Sequence, residues 1–137
     1  MKANGKVKEK LVKNLIDFQE RLNKNISFYI NKIEKAKSVE DIMYYKKELL
    51  KTIINNLPLG HNYCYFCIAK DFEIFDMCLF CPYAYFHKDC LSEHSDYTKI
   101  KNAQDKLLFH IEQLYYKNEN YDKIKYDLRT LIKFENC

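Results

Sequence analysis

Glycine and proline are scarce, with two of each in 137 residues. That argues against a loop-rich or all-β domain, whose turns need them, and for long helices with few connections. Arginine is nearly absent: Arg21 and Arg129 stand against many lysines. With so few guanidinium forks, any nucleic-acid contact is expected to be weakly sequence-selective. No stretch approaches the ~20 apolar residues a membrane span needs. The most apolar run, Cys78 to Phe86, is short and contains Pro82. The basic N-terminus lacks the apolar segment of a secretion signal. A cytoplasmic location without membrane attachment is therefore expected, and disulfides are rare there. Cysteine is missing from the first 63 residues, then occurs five times between 64 and 90.

The length is that of one ordinary domain, and 47% of the residues are apolar. A chain this size buries roughly two-thirds of its unfolded surface, so disulfides are not needed merely to fold. Residues 6–36 read as one long helix. Leu11, Leu15, Phe18, Leu22, Ile26, Tyr29 and Ile33 recur at steps of three and four, which places them on one face. Ser38-Val39-Glu40-Asp41 caps a second helix, with acids in its first turn. Its stripe is Ile42, Tyr45, Leu49, Ile53 and Leu57, widened by Met43, Leu50 and Ile54, and Pro58 and Gly60 stop it. The short link at Lys37-Ser38 predicts an antiparallel hairpin. A third helix starts near Ser95 or Thr98, with Ile100, Ala103, Leu107, Ile111 and Leu114 inward and Leu108 and Tyr115 beside them. After a polar break at 117–120, a fourth follows, with Tyr121, Ile124, Leu128, Leu131 and Ile132 inward. The expected fold is mainly α: a single domain, 1–137, of helical hairpins (1–60 and 99–137) packed as a bundle, with a cysteine-rich metal knuckle (61–98) inserted.

The insert carries the chemistry. Its spacing is Cys64-x2-Cys67-x10-Cys78-x2-Cys81-x8-Cys90. A Cys-x2-Cys turn aims two thiolates at one point and leaves backbone N–H groups free for the sulfurs. Two such turns complete a tetrahedral shell around Zn2+, with sulfurs near ~2.3 Å. Four ligands leave one cysteine over. The simplest set is Cys64, Cys67, Cys78 and Cys81; a second replaces Cys78 with Cys90. His87 or His94 can enter either set, although a surface or hydrogen-bonded role suits a lone histidine better. His61 and His110 lack partner spacing, and Cys137 reads as a free thiol. An iron–sulfur cluster is the alternative cofactor, since it also takes four cysteinates, but the dense ferredoxin run is missing.

The pattern Cys64-Tyr-Phe-Cys67, Cys78-Leu-Phe-Cys81-Pro82-Tyr83, Cys90 and Ser95-Asp96-Tyr97 resembles a group of small uncharacterised phage and archaeal proteins. These carry C-x2-C, C-x2-C-P and a fifth cysteine between helices, often followed by Thr-Pro-Tyr. Here Ser95-Asp96 stands where Thr-Pro is common. The resemblance covers roughly residues 39–115. It implies a compact metal-binding accessory protein and no particular activity.

Enzyme signatures are missing. No His-Glu-x-x-His occurs, His87-Lys88-Asp89 does not match the deaminase His-x-Glu, and two glycines make a phosphate loop implausible. Ser92, His94 and Asp96 read as a helix cap rather than a triad. A non-enzymatic zinc-binding module contacting a protein or a nucleic acid is the expectation, with a redox protein or metal-dependent enzyme as the alternative. Charge separates the two partners. Residues 1–60 carry net +6, 61–98 net −4 and 99–137 net +2. The acidic insert holds ten of the 21 aromatics and suits a protein partner. The lysines at 2, 6, 8, 10 and 13 suit phosphates if they are more than a solvated helix end. Oligomeric state is not legible.

Overall fold

A computed structural model describes residues 2–73, 81–88 and 90–114. The described residues form helices: α1 (Gly5–Lys35), α2 (Val39–Asn55), a 3-10 turn (His61–Tyr63), α3 (Tyr65–Asp71), α4 (Pro82–His87) and α5 (Asp96–Leu114), with no strand among them. The expected fourth long helix and Cys137 lie outside the described residues.

The helix starts follow from local chemistry. Asn4 caps α1, its side chain accepting from the Lys6 and Val7 N–H groups at 3.0 and 3.2 Å. Ser38 caps α2 by accepting from Asp41 N–H at 3.1 Å, as its position before two acids predicts. Ser95 caps α5, accepting from Thr98 N–H at 3.1 Å. Each of these side chains satisfies donors that a helix start leaves without an internal partner.

α1, at 31 residues, is about 46 Å long at 1.5 Å per residue. It packs along α2, and α2 in turn packs against α5. The predicted stripe of α1 is inward with one exception: Leu11, Phe18, Leu22, Ile26, Tyr29 and Ile33 are half-buried, whereas Leu15 is exposed. Asn14 occupies the inner row instead, because its Nδ2 donates to Asn62 O at 2.7 Å, where the chain re-crosses α1. On α2, Met43, Tyr45, Leu49, Leu50, Ile53 and Ile54 are half-buried, while Ile42 and Leu57 at the two ends are exposed.

α5 is turned relative to expectation. Lys101, Gln104 and Leu108 are turned inward, of which only Leu108 was expected near that face, while the predicted Ile100, Ala103 and Leu107 are exposed. Only Ile111 is buried as expected; the side chain of Leu114 lies outside the description. The cause is polar. Gln104 Nε2 donates to Ile54 O at 2.5 Å, reaching a carbonyl in the last turn of α2 whose backbone partner, Leu57 N–H, is distant at 3.5 Å, and Lys101 Nζ donates to Gln104 Oε1 at 2.9 Å. Lys51 then meets Glu112 at 2.7 Å across the same interface.

Val7, Ile68 and Ala69 form the most buried cluster described, with Leu11 and Tyr65 packed on it. It lies where the start of α1 crosses α3. Burying a valine side chain fully is worth roughly 1.5–3 kcal/mol. The cysteine-bearing segment is therefore fastened to α1 by apolar contact on one side, which leaves its other side for the thiols.

Candidate metal centre

Of the described thiols, Cys64, Cys67 and Cys81 sit at or near a helix start. Cys64 occupies the position just before α3, and Cys67 lies one turn further on. Winding the Cys-x2-Cys unit into the first turn of α3 puts both thiols on one side. Ile68 and Ala69, which follow, pack into the Val7 cluster. Cys81 precedes α4, and Pro82 takes the first helical position, where a missing N–H costs nothing. Lys88, just after α4, has a φ of 66°. The Cys90 carbonyl accepts from the hydroxyls of Ser95 and Thr98 at 3.1 and 2.9 Å, so the start of α5 holds it.

These four cysteines, drawn from three stretches of chain, line one cavity of about 230 Å3 with Leu59, His61, Tyr83, Leu91 and Tyr97. None of the four is in a disulfide. The wall is braced by Tyr83, whose hydroxyl accepts from the Tyr97 N–H at 2.8 Å and so ties α4 to α5. Cys78, a member of the simplest predicted ligand set, lies outside the described residues. Among those residues, no group of three or more His, Cys, Asp or Glu side chains is arranged as a ready metal site. Sharing a cavity and converging on one ion are thus different findings, and the first is what the thiols display.

Electrostatics reflect the same gathering. The Cys67 thiol is pushed up to about 12, first by burial and then by Cys64, within hydrogen-bond reach, and by Cys90 and Cys81. At neutral pH without a cation it keeps its proton. The phenols of Tyr83 and Tyr97 are also raised, in both cases chiefly by burial. For Tyr97 the remaining cause is the negative potential of Cys90, Cys67 and Cys64.

The histidines divide. His87 Nδ1 lies 2.6 Å from Asp96 Oδ2, and its ring stacks on Tyr83 with centroids 4.9 Å apart. Its partners are thus a carboxylate and a phenol ring. His94 does not line the cavity, and neither does His110, whose ring meets Phe109 edge-on. His61, set aside for want of partner spacing, does line it. Its place three residues before Cys64, at the start of the 3-10 turn that leads into α3, brings it there.

Comparison with protein-family models, curated proteins and solved structures finds no match to this chain.

Proposed function

We propose that this chain is a non-enzymatic interaction module in which a zinc ion, bound by cysteines of the set Cys64, Cys67, Cys78, Cys81 and Cys90, organises a knuckle on a helical bundle. One observation carries the reading: Cys64, Cys67, Cys81 and Cys90 line the same cavity, although up to 26 positions separate them. Four thiolates match the softness and coordination number of zinc. The role is structural. Among the described residues no carboxylate lines the cavity to activate a water, and leucines and tyrosines close it instead. In small zinc domains the metal supplies about 10–16 kcal/mol of apparent binding energy, comparable to the stability of a whole domain. With its net −4, the insert meets a protein more readily than phosphate. The lysines of α1 are the nucleic-acid-facing alternative.

The second reading is an iron–sulfur cluster. A cavity of about 230 Å3 is more room than a single ion needs, and a cluster takes the same four cysteinates.

Elemental analysis of protein purified without air decides between them. About one zinc per colourless chain supports the first reading. A brown protein absorbing near ~400 nm with iron and sulfide supports the second. A metal-free, fully folded chain overturns both.

A further inference from the structure

Asp17, Arg21 and Asn25 follow one another on α1 at four-residue steps, about 6 Å apart along its axis. A carboxylate, a guanidinium and a carboxamide thus stand in one row. Four residues is a spacing at which an acid and an arginine pair on a helix, yet the ion pairs among the described residues lie elsewhere. Arg21 turns to the Tyr63 hydroxyl instead, at 2.8 Å, which engages one of its N–H donors. Having accepted there, the hydroxyl keeps its own proton to donate. Two cavities adjoin at this contact, since Arg21 and Tyr63 line both. The first, about 450 Å3, contains the carboxylates of Asp17 and Glu20. The second, about 300 Å3, has an apolar wall of Phe18, Leu22 and Leu57 and the carboxamides of Asn25, Asn55 and Asn56. Lys10, Lys13 and Lys24 of the same helix line neither, so the lining charges among the described residues are Arg21, Asp17 and Glu20, net −1.

We propose that this joined groove binds a free aromatic α-amino acid, with tyrosine the best fit. The Arg21 guanidinium takes the carboxylate through paired N–H donors, and the Tyr63 hydroxyl donates to the same group. Asp17 and Glu20, which precede Arg21 on α1 and line the first cavity, take the ammonium. The ring lies against Phe18, Leu22 and Leu57, and the carboxamides of Asn25 and Asn55 meet the phenol tip. A zwitterion uses all three charges of the lining. A phosphate ester would face two carboxylates beside one guanidinium and is repelled. The inference goes beyond the zinc reading and does not rest on it.

Calorimetric titration of the full chain as purified tests this, with tyrosine, tyrosinamide, N-acetyltyrosine and a nucleoside monophosphate as the probes. Tyrosine should bind one to one. Tyrosinamide lacks the carboxylate and N-acetyltyrosine the ammonium, and each should bind about tenfold more weakly, the loss of one charge-assisted contact. Asp17→Asn/Glu20→Gln and Arg21→Gln change exposed side chains, and melting curves check that both variants fold. The first should erase the preference for tyrosine over N-acetyltyrosine, and the second the preference over tyrosinamide. The probe series on the wild type reads the same contacts whatever the stability of the variants. No saturable binding of tyrosine at millimolar concentration, equal affinity for the three tyrosine compounds, or tighter binding of the nucleotide would each overturn the proposal. So would folded variants that keep both preferences, since these groups would then serve stability alone.

Discussion

Arg21 Nη2 donates to the Tyr63 hydroxyl at 2.8 Å, one residue before the first thiol of the cavity. Asn14 to Asn62 O and Asn4 N–H to the Tyr65 hydroxyl, at 2.7 and 2.6 Å, are fastened in the same way. The Phe18 ring also meets Tyr63 edge-on at 5.8 Å. The first Cys-x2-Cys turn is thereby held against α1 on both sides. Tyr63→Phe keeps the ring contact and deletes the hydroxyl. The expected cost is about 1 kcal/mol, read as a melting temperature lower by a few degrees. The apparent zinc affinity should fall by about fivefold, because in such sites binding and local folding share one free energy. An unchanged melt would mean that Arg21 is merely solvated at this position.

Removing the metal should loosen the insert while α1, α2 and α5 persist. Complete chelation at neutral pH is expected to lower the cooperativity of melting and change tyrosine emission as Tyr83 and Tyr97 gain water. Returning zinc should release protons, because Cys67, lifted to about 12 mainly by burial, is a thiol until a cation displaces its hydrogen. Calorimetry in buffers of different ionisation enthalpy measures that release. A buffer-independent heat, or an unchanged melt and emission after stripping, would deny the metal its organising role.

The long helices were legible because their apolar positions repeat over many turns, and Ser38 announced α2 through its capping chemistry. The facing of α5 was not. Its rotation is set by Gln104 reaching the last turn of α2, a polar contact to which apolar periodicity is blind. Leu15 was misplaced for a related reason: Asn14 holds the inner row through a backbone carbonyl 48 positions away. For the thiols, spacing alone allowed two ligand sets. The cavity adds that Cys90 shares a wall with Cys64, Cys67 and Cys81, where the hydroxyls of Ser95 and Thr98 hold the Cys90 carbonyl. None of these has a signature in the cysteine spacing.

Lys88 ends α4 with φ 66° and ψ 165°, a region that favours glycine because a Cβ crowds the backbone there. Holding lysine in it costs about 1–3 kcal/mol. Lys88→Gly relieves this strain but gives the unfolded chain extra freedom. The net expectation is a gain of up to about 1 kcal/mol, seen as a higher denaturant midpoint with an unchanged slope. Loss of stability would show that the lysine side chain contributes more than the backbone strain costs.

Acid should weaken the α2–α5 contact before it reaches the thiol segment. Lys51, hydrogen-bonded to Glu112 at 2.7 Å with Lys47 at 3.5 Å, holds the Glu112 carboxyl below its ordinary 4.5. The same contact raises Lys51 above 10.5. A depressed carboxyl stabilises the fold fully above its unfolded value, and the contribution disappears as pH falls below about 4.5. A raised lysine contributes below 10.5 and loses that contribution as pH climbs past it. Both groups are partly exposed, so the whole network is worth at most about 1 kcal/mol at low salt. Glu112→Gln should therefore cost that amount at pH 7 and nothing near pH 3. The difference should shrink in high salt, because the charges lie in reach of screening ions. Melting wild type and variant in parallel across pH reads this directly. Equal destabilisation at both pH values would assign the contact to packing by the glutamate's methylenes rather than to its charge.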